Sequence, residues 1–242
     1  MDIKNEVARR VSWLKSILKE TGAKGFVLGT SGGKDSVLVS ILARMATPNV
    51  LGVIMPCDSK RNKTIDRDDA IMIAKHFDIK TIEVDLTPIK IAFRDLLMPL
   101  SSKQNDMAYN NMNPRLRMIT VYNLAQRENY LVLGTGNRSE GTMGYFTKWG
   151  DGAHDVNPIG DLTVREIYKI LFYLDCPEQI ITKKPSAGLY EGQTDEGEMG
   201  MTYEQIDDYL LNGEAEPDIK KKIEDRMKMS EHKRQMPRVF PN

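Results

Sequence analysis

The chain has 242 residues, 40% of them hydrophobic and 28% charged, which is enough apolar material for one α/β domain with a sizeable core. Thirty-four basic residues balance 34 acidic ones; proteins that grip phosphate backbones carry a basic excess, so no nucleic-acid partner is expected. No run approaches the roughly 18 apolar residues of a membrane span, so no membrane partner and a cytoplasmic location are expected.

The first 20 residues are interrupted by charge every few positions and lack the apolar stretch of a signal peptide. Val7, Val11, Leu14 and Leu18 recur at helical spacing and predict an amphipathic first helix. Short apolar runs then alternate with longer helical patterns. GFVLG (25–29), NVLGVIMP (49–56), TIEVDL (81–86) and YLVLGTG (130–136) read as strands; 36–46, 66–77 and 115–129 read as helices. This alternation predicts a doubly wound, mostly parallel sheet flanked by helices. A further helix is expected over 161–174. The stretch 184–200, KPSAGLYEGQTDEGEMG, has no periodicity and reads as a lid loop. A polar helix over 215–229 and a Pro-flanked tail make residues 215–242 a C-terminal extension of a single domain spanning 1–242. Cys57 and Cys176 lie too far apart for a CxxC zinc pair or a disulfide framework, and are expected as free thiols.

The first strand runs into GTSGGKDS (29–36). Open α/β sheets bind ligands at the carboxyl ends of their strands, and consecutive N–H groups at a helix start face anions well. Glycines permit the tight turn, Ser31 and Ser36 add hydroxyl donors, and Lys34 adds charge. A plain capped helix start would need less than two serines, a lysine and an aspartate. The turn is not a Walker A loop, because Leu28 stands at the first glycine of that pattern and Asp35 replaces its hydroxyl residue. A carboxylate beside phosphates can instead hold Mg²⁺, which neutralises a pyrophosphate leaving group. The second carboxylate is sought at another strand end, and Glu140 follows the strand 130–136 in a turn region. Taken alone, Glu140 also fits a solvated surface acid.

SGGKDS resembles the loop of ATP pyrophosphatases, which cleave ATP between its α- and β-phosphates. NPRLRM, LGTGNRSE, GYFTKWGDGAHD, KPSA, DE and EHKRQMP, in that order up to residue 237, together resemble the ammonia-dependent NAD synthetases. The resemblance implies ATP-dependent amidation of deamido-NAD by ammonia to NAD, through an acyl-adenylate, with AMP and pyrophosphate released. It also implies a homodimer, whose contact face is expected over the Met- and Leu-rich stretch 87–125. By the same resemblance the ATP site corresponds to Gly29, Thr30, Ser31, Gly32, Gly33, Lys34, Asp35 and Ser36, with Thr135 and Ser186. Asp35 and Glu140 correspond to the Mg²⁺ ligands. Deamido-NAD contacts fall on Arg115, Lys148, Asp155, His232 and Lys233, and catalytic roles on Asp35, Glu140, Lys148 and Asp155.

Val164 departs from the pattern, since members of the family usually carry lysine there. Arg165 is its neighbour, but adjacent helical residues point about 100° apart; Lys183, Lys184 and Lys34 are the other candidates for the missing charge. Neither cysteine sits in an amidase context, so free ammonia is the expected donor unless a separate glutaminase delivers it. Rival readings are a tRNA-thiolating enzyme, a GMP synthetase subunit and a non-catalytic nucleotide sensor. The neutral charge and unpaired thiols count against thiolation, and a sensor needs no pair of metal carboxylates.

Overall fold

Phe26, Val27 and Leu28 occupy the middle of β1 (Gly25–Gly29), and all three are buried. An unbroken apolar run of this kind suits a strand covered on both faces. β1 pairs in parallel with β2 (Val50–Ile54) on one side and β4 (Tyr130–Val132) on the other. β3 (Lys80–Glu83) adds to β2, giving the order β3-β2-β1-β4. The computed structural model describes residues 1–59, 63–100, 105–183 and 194–240.

Helices cover both faces, as the alternating pattern predicts. On one face α1 (Ile3–Thr21), α2 (Lys34–Ala46) and α8 (Val164–Tyr173) bury Leu14, Leu38, Leu42, Ile167 and Ile170 against Phe26 and Leu28. On the other, α6 (Met112–Glu128) packs Leu116, Val121 and Ala125 with Val27, Leu51 and Val132. The alternation of Phe26, Val27 and Leu28 between these two clusters is the period of two of a strand. Between the strands, α3 (Ile65–His76) links β2 to β3, while α4 (Thr87–Leu97) and α5 (Asp106–Asn110) precede α6. After β4 come α7 (Arg138–Met143), α8, α9 (Glu178–Ile181), α10 (Asp195–Met199), α11 (Tyr203–Asn212) and α12 (Pro217–Arg234). A separate cluster of Met143, Val164, Met199, Met201, Tyr203, Ile206 and Ile223 fastens these last helices together.

Several boundaries differ from the sequence reading. β4 ends at Val132 rather than 136; beyond it, Leu133 forms an isolated parallel bridge with Val156. Glu140 lies in the short helix α7, not in a turn. Of the lid expected over 184–200, residues 184–193, with Ser186 and Lys184, lie outside the described residues. Asp195–Met199 is helical, started by the Thr194 side chain, which accepts a hydrogen bond from the Gly197 N–H. The C-terminal helix runs to Arg234, so His232 and Lys233 belong to its last turn rather than to a tail. Cations suit that position, where the helix dipole is negative.

α4 inverts the usual arrangement. Its buried residue is Lys90, 1% exposed, while Ile89, Ile91, Phe93, Leu96 and Leu97 are exposed. The Lys90 ammonium lies 3.8 Å from the centroid of the Tyr109 ring and 3.4 Å from Asp58 Oδ2. Both cysteines are free and buried, and the Cys57 thiol donates to Asn113 Oδ1 at 3.3 Å. Among the described residues, no helix is long and apolar enough to cross a membrane.

Candidate active site

The turn between β1 and α2 is built by two constraints. Gly32 has φ +67°, and a Cβ there would stand 2.5 Å from Asp69 Cβ and 2.9 Å from the Ala70 nitrogen, so only glycine fits. Gly33 opens α2 in an extended conformation without a side-chain cap, which leaves the first N–H groups of the helix for a ligand. The two serines shape the turn from within. Ser36 Oγ lies 3.2 Å from Ser31 Oγ and donates to the Gly33 carbonyl at 3.0 Å, while the Gly33 N–H donates to Ser31 Oγ at 3.3 Å.

Lys34 and Asp35 begin α2 at this edge. The Lys34 ammonium is 2.8 Å from Asp35 Oδ2 and almost wholly buried. Burial works against its charge, but Asp35 and Glu140 outweigh burial and hold its pKa above the ordinary lysine value. The second carboxylate arrives from α7. Asn137 caps that helix: its Oδ1 accepts from the Glu140 N–H at 2.9 Å, and its own N–H donates to Glu140 Oε2 at 3.2 Å. The same side chain donates from Nδ2 to Asp35 Oδ1 at 3.1 Å. One asparagine thus joins the acid of α2 to the acid of α7. Burial and the Asp35 charge push the Glu140 pKa up to about 8.

This donor set fits a magnesium ion. A buried carboxylate whose charge is disfavoured by burial and by a neighbouring acid, as Glu140 is by Asp35, gains from a divalent cation beside it. Mg²⁺ commonly takes one or two carboxylates and completes its shell with phosphate oxygens and water. Among the described residues, no group of three or more His, Cys, Asp and Glu side chains gathers into an all-protein cage. Thr135 lies between Gly134 and Gly136, in the connection from the carboxyl end of β4 to α7.

Four of the five expected acceptor residues converge beside α12. Arg115 donates to the Lys148 carbonyl at 3.3 Å, and Lys148 Nζ donates to the His232 carbonyl at 2.7 Å. Lys233 Nζ donates to the carbonyls of Gly144 and Phe146, both at 2.8 Å, and burial lowers its pKa. Gly144 has φ +63°, and a Cβ there would sit 2.1 Å from Ser230 Cβ, so the glycine is what lets α12 dock. Asp155 has different partners. Its carboxylate accepts from the Val132 N–H at 2.8 Å and from the Tyr122 hydroxyl at 3.2 Å. Burial and Asp155 push that phenol up to about 12.

Val164 is buried in the same cluster as Tyr203, and its N–H donates to Ser139 Oγ. Arg165 does not replace a lysine at that position, because its guanidinium bonds Asp208 Oδ1 at 2.7 Å. Lys183 is held by Asp66 at 2.9 Å and Asp69 at 2.6 Å. Of the described candidates, Lys34 is the cation that touches the carboxylate pair, through Asp35. Sequence reading missed Asn137, although Asn followed three residues later by Glu is a helix-start signature. It also missed Tyr203, whose ring faces the Lys34 ammonium at 5.3 Å; no local pattern marks that contact.

A family model described as NAD synthase matches residues 6–237. The NH(3)-dependent NAD(+) synthetase of Carboxydothermus hydrogenoformans is 47% identical over 231 residues, covering 95% of this chain and 94% of that one. The protein of the same name from Alkaliphilus metalliredigens is 43% identical over 250 residues and covers 100% of both. Among solved structures, the NMN synthetase of Francisella tularensis superimposes with a TM-score of 0.93 at 36% identity, over 100% of this chain and 99% of that one. The NH3-dependent NAD synthetase of Campylobacter jejuni gives a TM-score of 0.81 at 29% identity, over 100% of both chains. With a glycine turn at the first strand's end, Asp35 and Glu140 joined through Asn137, and relatives matched along nearly its whole length, the chain belongs to the NAD synthase family.

Proposed function

We propose that the chain catalyses ATP-dependent amidation of deamido-NAD by ammonia, giving NAD, AMP and pyrophosphate. The observation that carries this is the meeting of Asp35 and Glu140, joined through Asn137, beside the Gly29–Ser36 turn. A carboxylate resists ammonia because it would have to expel oxide. In the first step a nicotinate oxygen attacks the α-phosphorus of ATP, and the bond to the bridging oxygen breaks to release pyrophosphate. Ammonia then attacks the acyl carbon, the C–O bond to AMP breaks, and one proton leaves. Asp35 and Glu140 would hold Mg²⁺, which supplies charge neutralisation for the pyrophosphate. The turn's N–H groups and Lys34 face the same charge, so this chain contributes positioning and electrostatic stabilisation rather than a covalent nucleophile.

Thr135, from the described residues, and Ser186, from outside them, complete the proposed ATP site. Arg115, Lys148, His232 and Lys233 take the acceptor. Asp155, fixed in direction by Val132 and Tyr122, orients the nicotinate end. We read residues 1–242 as one domain in a cytoplasmic homodimer, the exposed apolar side of α4 supporting contact with a second copy. Free ammonia is the nitrogen donor in this reading. The test is one incubation with ATP, Mg²⁺, deamido-NAD and ammonium. Equal amounts of NAD, AMP and pyrophosphate support the proposal, and no pyrophosphate with ATP still bound overturns it.

The fold likeness to an NMN synthetase favours a second reading, in which the acceptor is the deamidated mononucleotide. Both acceptors would pass through the same adenylate chemistry at Asp35 and Glu140. Comparing kcat/KM for the two acceptors decides between them.

A further inference from the structure

Lys34 is an awkward place for a positive charge. It is the first residue of α2, where the helix dipole is positive, and it is 6% exposed. Asp35 supports it at 2.8 Å, but Asn137 also holds that carboxylate, and the proposed metal would draw on it too. A second support lies opposite. The Tyr203 ring faces the ammonium with its centroid 5.3 Å away, within the range of a cation–π attraction.

The ring is itself fixed. Tyr203 is 4% exposed, its hydroxyl donates to Asp195 Oδ2 at 3.0 Å, and its N–H donates to Glu196 Oε1 at 2.8 Å. Met143, Val164 and Ile206 belong to the same apolar cluster. Of the other described candidates for this charge, Arg165 is paired with Asp208, and Lys183 with Asp66 and Asp69.

We propose that Tyr203 is a positioning residue for Lys34: its ring, fixed by packing in the cluster of Met143, Val164 and Ile206, holds the lysine ammonium where pyrophosphate departs. The inference rests on the adenylation reading above. A ring face attracts a cation through its quadrupole and adds no formal negative charge. The charge of Lys34 is therefore held in place without being cancelled, which a third carboxylate would do. Tyr203 touches no reacting atom; it acts through Lys34.

The experiment titrates inorganic pyrophosphate calorimetrically into the full-length protein and its variants, beside steady-state kinetics. Tyr203→Leu should weaken pyrophosphate binding and lower kcat by about tenfold each, with the KM for deamido-NAD unchanged. Tyr203→Phe keeps the ring and should stay within about threefold of the wild type. In a Lys34→Met background, Tyr203→Leu should cost less than about twofold more, because the partner is already gone. Equal losses in Tyr203→Phe and Tyr203→Leu, or a full additional loss in the Lys34→Met background, overturn the proposal. Should Tyr203→Leu fail to fold, ring-fluorinated phenylalanines at position 203 keep the shape while weakening the quadrupole. Pyrophosphate affinity should fall stepwise along that series, and a flat series sinks the idea. A wild type that binds pyrophosphate but makes no NAD would remove the amidation reading and leave this test standing.

Discussion

The two ends of the proposed site are made differently. At the nucleotide end, the turn's hydroxyls bond within the turn, Asn137 ties Asp35 to Glu140, and Lys34 is buried. At the acceptor end, Arg115, Lys148 and Lys233 reach main-chain carbonyls near the chain's surface, and Lys148 does so through the backbone of His232 on α12. The first end is a rigid, hydrogen-bonded arrangement of short side chains; the second consists of long flexible side chains parked on carbonyls. The difference teaches which end waits for company. Carbonyl contacts of this kind are exchanged readily for a phosphate or carboxylate, whereas a capped and buried acid pair is not.

The largest test strikes the rigid end. Glu140→Gln should lower kcat by on the order of a thousandfold while ATP affinity, measured calorimetrically, stays within about threefold. A similar loss in ATP affinity would mean that Glu140 organises the turn rather than the chemistry. Next comes the open end. Leu96→Asp with Leu97→Asp puts charge on the exposed apolar side of α4, and should yield monomers in sedimentation with an about fiftyfold loss in kcat/KM for deamido-NAD. Unchanged sedimentation would remove α4 from the contact between copies. A smaller effect is expected from Lys148→Ala, an about tenfold rise in the KM for deamido-NAD with the KM for ATP unmoved. If both constants moved together, the division into two ends would be wrong. Smallest of all, Arg165→Ala removes only a half-exposed pair with Asp208 and should change kcat less than about twofold. A tenfold loss there would return Arg165 to the phosphate side and blunt the case for Lys34.

The rigid end was the legible one. GFVLG followed by GTSGGKDS carries its strand, its turn and its helix start in 12 consecutive residues, because each depends on local chemistry. Glu140 was legible as a partner acid but not as helical: RSEGTM contains a glycine and is only six residues long, and it is held by its capping box rather than by propensity. α4 was hidden for the opposite reason. Ile89, Ile91 and Phe93 alternate like a strand, and the helix they form faces them outward while burying Lys90, a pattern that single-chain periodicity misreads. The partners of Asp155, Val132 and Tyr122, are 23 and 33 residues away. No spacing rule joins them.

Asn137 has a consequence for how this chain can vary. Helix starts accept asparagine, aspartate and serine almost interchangeably. Here the amide oxygen serves the helix and the amide nitrogen serves Asp35. Aspartate would keep the helix start but set a like charge against Asp35, and serine would keep it but is too short to reach. A position with three synonyms elsewhere in proteins is left with one spelling, and drift at residue 137 must alter the helix or the acid pair.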